Sequence, residues 1–227
     1  MKAYKGIGME GVIARWYAAS TGKDRGRHTR MAALIAGRLW AGARVLEVAP
    51  GPGYFCIELA RLGDYRTTGV DISESFVRIA RENARTAAVS VDFQHGNASA
   101  LPFADASFDV VICQAAFKNF SEPVRAISEM HRVLAPGGTA LLVDLRSDVT
   151  MDDIDREVRA MDLGIFSQAF TRFTFRHMLI KRAYSVEEIR TMVGRTAFGN
   201  ANIEINPVGF TAWMEKTTAG VPQHVKA

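Results

Sequence analysis

No stretch of this 227-residue chain reaches the run of about 20 apolar residues that a membrane-spanning helix needs. Cysteine is scarce. Cys56 and Cys113 each sit in an apolar stretch, with neither metal-ligand spacing nor the density of a disulfide framework, so both read as buried thiols in a reducing compartment and no metal site is expected. The first 20 residues hold Glu10 and Arg15 among scattered apolar side chains and lack the continuous apolar segment of a secretory signal. A soluble, cytoplasmic protein is therefore expected. Charge of one sign is barely in excess, 28 Lys and Arg against 24 Asp and Glu, and no polybasic run accounts for it. A net charge of +4 permits a nucleic-acid partner but does not argue for one. Internal repeats and low-complexity tracts are absent.

What is present is the composition of a folded chain, 48% hydrophobic and 23% charged, of a length that suits one domain. From residue 43 onward, short apolar runs alternate with longer amphipathic ones. Arg44–Ala49, Thr67–Asp71, Val89–Phe93, Phe108–Cys113 and Ala140–Leu145 suit strands buried on both faces of a parallel sheet. Helix starts lie between them, at Ser73 and at Ser121-Glu122-Pro123, and Pro136-Gly137-Gly138 ends the second of these helices. The alternation predicts an α/β fold with a doubly wound, mostly parallel sheet.

The ends of the chain differ from its middle. Residues 1–42 read as a cap of one or two helices and 43–147 as the core. An insertion follows the fifth strand over 148–184, opened by the capping-box spacing of Thr150 and Asp153. Over 185–218 a helix capped by Ser185 and Glu188 precedes two strands, near Ala201–Asn206 and Gly209–Lys216, that suggest an antiparallel hairpin at the sheet edge. Residues 219–227 read as a loose tail.

The sharpest chemical signal is VLEVAPGPGYFCIELA, residues 45–60. A strand carrying Glu47 runs into a turn with Gly51 and Gly53, and a helix opens near Tyr54. Glycine serves where backbone takes positive φ or approaches a ligand closely, and a helix start offers unpaired N–H groups. Asp71, 18 residues after Gly53, falls at the end of the second strand, where an acid can accept both hydroxyls of a ribose. A dinucleotide site expects a third glycine where this chain has Cys56, and has no need of Glu47; an acid there suits a cofactor with a cationic amino-acid tail. The balance moves from NAD to S-adenosylmethionine.

The stretches VLEVAPGPGYF, TTGVDIS, HGNASALPFADASFDVVIC and EMHRVLAPGGTALLVD, in that order from 45 to 144, resemble the class I S-adenosylmethionine-dependent methyltransferases. The likeness is to the small-molecule group that includes the quinone-biosynthesis C-methyltransferases, and YSVEEIRTMV is similar to that family's late helix. The resemblance implies a Rossmann-like sheet of seven strands with an antiparallel last strand, an N-terminal helical cap and a helical lid after the fifth strand. It implies that Glu47 and the loop of Ala49, Gly51 and Gly53 hold the methionine end of the cofactor. Asp71 takes the ribose, Ile72 packs on adenine, Asn97 and Ala98 meet the adenine edge, and Gln114 lines the floor near the sulfonium. Tyr17 either reaches the cofactor from the cap or belongs to the packing of that cap. The chain departs from the family in Ala49, where a glycine is usual, in Pro50 and Pro52, which stiffen the turn, and in Asn97, where Asp is common.

Methyl transfer from a sulfonium is an in-line displacement, so alignment and exclusion of water do most of the work and a dedicated base is optional. For the acceptor, Phe166, Phe170 and Phe173 form an aromatic stripe at helical spacing that reads either as core or as the wall of a pocket for an apolar or aromatic molecule. His177 is the candidate base, against a plain structural role. Phe117 and Lys118 either touch the acceptor or pack a loop, while His95 and His131 read as structural. The segment QAAFKNF lacks the Asn/Asp-Pro-Pro-Tyr/Phe tetrapeptide of amino-nitrogen methylation, which leaves oxygen or carbon of a small molecule. Three other readings stand beside this one: an NAD-dependent oxidoreductase, a protein that binds S-adenosylmethionine without methylating, and an RNA methyltransferase, which the mild net charge permits. A homodimer is compatible with the sequence.

Overall fold

The computed structural model describes residues 4–5, 8–22, 25–160 and 180–218. Two helices, α1 (Gly11–Thr21) and α2 (Arg25–Ala36), precede the sheet. The core then runs β1 (Arg44–Val48), α3 (Tyr54–Leu62), β2 (Arg66–Asp71), α4 (Glu74–Thr86), β3 (Asp92–His95), β4 (Phe108–Gln114), α5 (Pro123–Val133) and β5 (Leu134–Leu145). After it come α6 (Met151–Ala160), α7 (Val186–Gly194), β6 (Asn202–Ile205) and β7 (Gly209–Glu215). Short 3-10 turns lie at Phe117–Asn119 and Ile180–Arg182.

The seven strands are ordered β3-β2-β1-β4-β5-β7-β6. Pairing is parallel from β3 through to β5, with β7 antiparallel to β5 and β6 antiparallel to β7. Strand order reverses between β1 and β4, so their carboxyl ends mark the switch point at which open α/β sheets bind ligands. The central strands are buried on both faces, which is why they read as unbroken apolar runs. One core cluster joins α5 and α7 to the sheet through Ile127, Met130, Ile189 and Val193; the other joins α2, α3 and α4 through Ile35, Phe55, Leu59 and Ala80.

The start signals fall where expected. The Ser73 hydroxyl accepts from Phe76 N and caps α4, Thr150 and Asp153 exchange reciprocal bonds ahead of α6, and Ser185 with Glu188 closes a capping box on α7. The third strand is displaced. Expected at Val89–Phe93, it forms at Asp92–His95, because Ala88 turns left-handed (φ 54°) and Val89 N bonds back to Ala84 O to finish the helix. The fifth strand starts earlier than expected, at Leu134, with an irregularity that shifts the pairing from Phe108↔Leu134 to Val110↔Thr139 and takes up Pro136-Gly137-Gly138. Of the insertion, α6 is described and buries Ile154 and Val158. Phe166, Phe170, Phe173 and His177 lie outside the described residues, as does the 219–227 tail.

Candidate cofactor site

At the carboxyl end of β1 the chain makes three left-handed residues within five positions. Ala49 (φ 58°), Gly51 (φ 55°) and Gly53 (φ 79°) build a tight loop whose last residue caps α3. The two glycines answer to different demands. A Cβ on Gly53 would stand 2.5 Å from Phe93 Cζ and 3.0 Å from Ala80 Cβ, so this glycine lets the loop settle onto the sheet. A Cβ on Gly51 would meet nothing within 4 Å, so there the backbone faces open space. The prolines hold the loop in shape: Pro50 O accepts from Gly53 N, and Pro52 O accepts from Asn83 Nδ2 at 2.9 Å.

Asp71 ends β2 facing that loop. Its Oδ2 accepts from Gly51 N at 3.0 Å and its Oδ1 from Ser73 N at 2.8 Å. Burial pushes its pKa up to about 6, opposed by those two amide donors. The next residue, Ile72, is 38% exposed, an apolar side chain beside the acid. Glu47 is buried within β1; its Oε1 accepts from Gln114 Nε2 at 3.1 Å and its Oε2 from the Cys56 thiol at 3.0 Å. Both partners are neutral, and burial drives the carboxyl up to about 7. A buried acid with neutral neighbours is poised for a cation. Gln114 is thus brought to Glu47 across the switch point, and Ala115 beyond it is left-handed as well (φ 55°).

Asn97 and Ala98 follow β3. The Asn97 Oδ1 accepts from Ser99 N at 3.0 Å, an Asx turn, so the turn chemistry of that residue is realised in the structure, and Ala98 packs partly buried on the core. Tyr17, on α1, is half-buried with its ring 5.7 Å edge-on to Phe76. Its hydroxyl is held protonated by burial and lies within the fields of Arg27, Asp144 and Asp71. The 8–11 segment crosses to α4: Met9 O accepts from the Ser73 hydroxyl, and Glu10 Oε2 accepts from Ser75 N.

Of the two alternatives for Phe117 and Lys118, the structure shows packing for both. Phe117 is 1% exposed and packs in the core against Phe120 and Tyr184, so its ring is taken up by packing. Lys118 is buried in an ion pair, its Nζ 2.7 Å from Asp144 Oδ1 and 2.6 Å from Ala115 O. Sequence reasoning missed this pair because Lys118 lies in the 3-10 turn after β4 and Asp144 near the end of β5, 26 residues apart. Glu10 also escaped notice, and no signal in the sequence ties it to Ser75.

A glycine loop and a strand-end acid thus lie together at the switch point of this sheet, the place where open α/β sheets hold nucleoside ligands. Residues 46–142 match the family model of a methyltransferase domain. The chain is 35% identical over 161 residues to a demethylmenaquinone methyltransferase of Deinococcus radiodurans, covering 70% of this chain and 60% of that protein. It spans 40% and 48% of two further demethylmenaquinone methyltransferases, of Chlorobaculum parvum and Thermus thermophilus, so it covers about half the length of such relatives. Among solved structures, an S-adenosyl-L-methionine-dependent methyltransferase (so classed) of Methanococcus maripaludis superposes with a TM-score of 0.74 at 18% identity, over 96% of this chain and 98% of that one. The cyclase SpnF superposes with a TM-score of 0.57 at 23% identity, over 84% and 81%. These likenesses to solved structures establish the fold, and a cyclase among them shows that the fold alone does not fix the reaction.

Proposed function

We propose that this protein transfers a methyl group from S-adenosylmethionine to carbon or oxygen of a small apolar or aromatic acceptor of the quinol class. The observation that carries the cofactor is the set of groups at one switch point. Open backbone at Gly51, a ribose-ready carboxylate at Asp71, exposed apolar surface at Ile72 and a buried acid with neutral partners at Glu47 match in turn a close-packed ligand, a diol, a flat base and a cationic tail. The acceptor class rests on the name borne by the Deinococcus relative.

In this reading the bound sulfonium supplies an activated methyl group, and the protein's own residues supply placement. Asp71 turns both oxygens towards the ribose from a position fixed by Gly51 and Ser73. Glu47, oriented by Gln114 and Cys56, meets the α-ammonium. The left-handed Ala49 and Ala115 bring the ends of β1 and β4 round the reacting centre. Orientation of this kind contributes about 7–11 kcal/mol in well-aligned systems, which leaves a base optional.

Calorimetric titration with S-adenosylmethionine, S-adenosylhomocysteine and NAD tests the cofactor. Micromolar binding of the adenosyl pair with none for NAD is expected, and the reverse would restore the oxidoreductase reading. Incubation with methyl-labelled cofactor and a demethylated quinol then separates a methyltransferase from a cofactor-binding protein that does not methylate. Label in the quinol together with S-adenosylhomocysteine is the expected result.

A further inference from the structure

Helix α1 is built inside out. Its fully buried residues are small, Ala14 and Ala18, with Tyr17 half-buried against Phe76, while Val12 (72% exposed), Ile13 (44%) and Trp16 (69%) face solvent. A surface helix of a water-soluble protein ordinarily does the opposite. The helix is nonetheless anchored: Tyr54 Oη donates to Ala18 O at 2.8 Å, Gly11 N donates to the Ser75 hydroxyl at 2.9 Å, and α1 packs on α4. Its large apolar side chains are therefore displayed on a fixed support.

The N-terminal segment that carries this face is rich in cations. Residues 1–42 hold eight Lys and Arg against two acids, a net +6, whereas the remaining chain holds 20 against 22, a net −2. The whole positive excess of the protein resides in the cap. Arg15 lies on α1 beside Trp16, and Arg27 and Arg30 are exposed on α2. A cleft of about 260 Å³ between α1 and α4 is edged by Arg15 and Arg78, with Glu82 the acid on its rim.

We propose that α1 docks on the surface of an anionic lipid bilayer, with Val12, Ile13 and Trp16 entering the headgroup boundary and the arginines of the cap meeting lipid phosphates. An apolar face containing Trp, bordered by Arg and set on a short helix, is the pattern of interfacial attachment, and basic residues near an anionic leaflet add to it. Charge selects the occupant: a second copy would set Arg15 on α1, and Arg27 close to Tyr17, against the same cations, whereas an anionic surface complements them. The same helix carries Tyr17, whose hydroxyl lies in the field of Asp71, so docking would set the site at the membrane. This last point rests on the proposed function, since an apolar quinol is held in a bilayer.

The test is co-sedimentation of the full chain with vesicles of phosphatidylglycerol and phosphatidylcholine in equal parts, and with phosphatidylcholine alone. Binding is expected to the mixed vesicles at low salt, and to fall steeply as the Debye length shrinks from about 30 Å at 0.01 M to about 3 Å at 1 M. The triple variant Val12→Ser, Ile13→Ser, Trp16→Ser, all at exposed positions, is expected to bind about tenfold more weakly while its affinity for S-adenosylhomocysteine stays that of the parent. Failure of the parent to sediment, or a triple variant that sediments as well as the parent, overturns the proposal. So does light scattering that shows a dimer which the triple variant dissolves, because the face would then belong to a second copy. Absence of S-adenosylhomocysteine binding would count against the proposed function and leave the vesicle result standing.

Discussion

Replacing Glu47 by Gln should stabilise the protein at alkaline pH and weaken its hold on the cofactor. Glu47 sits fully inside the sheet, and burial moves its pKa from the ordinary 4.5 to about 7. A folded-state acid with a raised pKa holds its proton where the unfolded chain has lost it. Its contribution is complete below pH 4.5 and disappears as pH rises to about 7. A displacement of that size corresponds to about 3 kcal/mol. Gln keeps the shape without the titration, and one of its amide faces must meet Cys56 or Gln114 less well, at about 1 kcal/mol. Above pH 7 the variant should therefore exceed the parent by about 2 kcal/mol, and below pH 4.5 it should trail by about 1. Urea denaturation of both proteins at several pH values measures this, and the difference between the curves removes the opposing contribution of His131, whose pKa burial lowers. Calorimetry on the same samples should show affinity for S-adenosylhomocysteine reduced at least tenfold (about 1.4 kcal/mol) through loss of the ionic partner of the α-ammonium. Parallel stability curves across the window would refute the reasoning, because Glu47 would then not be titrating against its burial.

Asp71→Ala should weaken cofactor binding at least tenfold (about 1.4 kcal/mol) with an unchanged circular dichroism spectrum, since its two backbone bonds serve the loop and its lone pairs the ligand. The loop glycines should part company in thermal melts: Gly53→Ala is expected to cost about 3 kcal/mol through its clash with Phe93 and Ala80, while Gly51→Ala costs about 1, from positive φ alone. Lys118→Met leaves Asp144 buried with only its amide donors and should cost about 3 kcal/mol in urea denaturation, and the double variant with Asp144→Asn should recover at least half of that.

Much of this fold is legible in the sequence because burial on both faces makes the central strands continuous apolar runs and because the helix starts are chemical. Ser73, Thr150 and Ser185 all act as the spacing implies. Boundaries failed where backbone conformation overrode side-chain preference. Val89 favours a strand by type, yet it completes the exit of α4 past a left-handed Ala88. The cofactor groups were readable because Glu47, Gly51, Gly53 and Asp71 lie within one strand–loop–helix–strand unit. Lys118 with Asp144, and Glu10 with Ser75, were not, since these contacts join segments that only the folded sheet brings together. The face of α1 was hidden for another reason: a hydrophobic helix in a sequence reads as buried, and only its docking shows which side is turned outward.

Two of the left-handed alanines, Ala49 and Ala115, stand at the tips of adjacent strands where glycine would be easier. Each costs about 1–2 kcal/mol in the folded state, and each gives back about 0.4–1 kcal/mol because alanine leaves the unfolded chain fewer conformations than glycine. Stability therefore changes little, but stiffness changes more. Alanine has few alternatives once the sheet has forced it there, so the rim is set before any ligand arrives. A site with such a rim surrenders less disorder on binding, and association of the proposed cofactor should draw on preformed shape rather than on ordering of the loop.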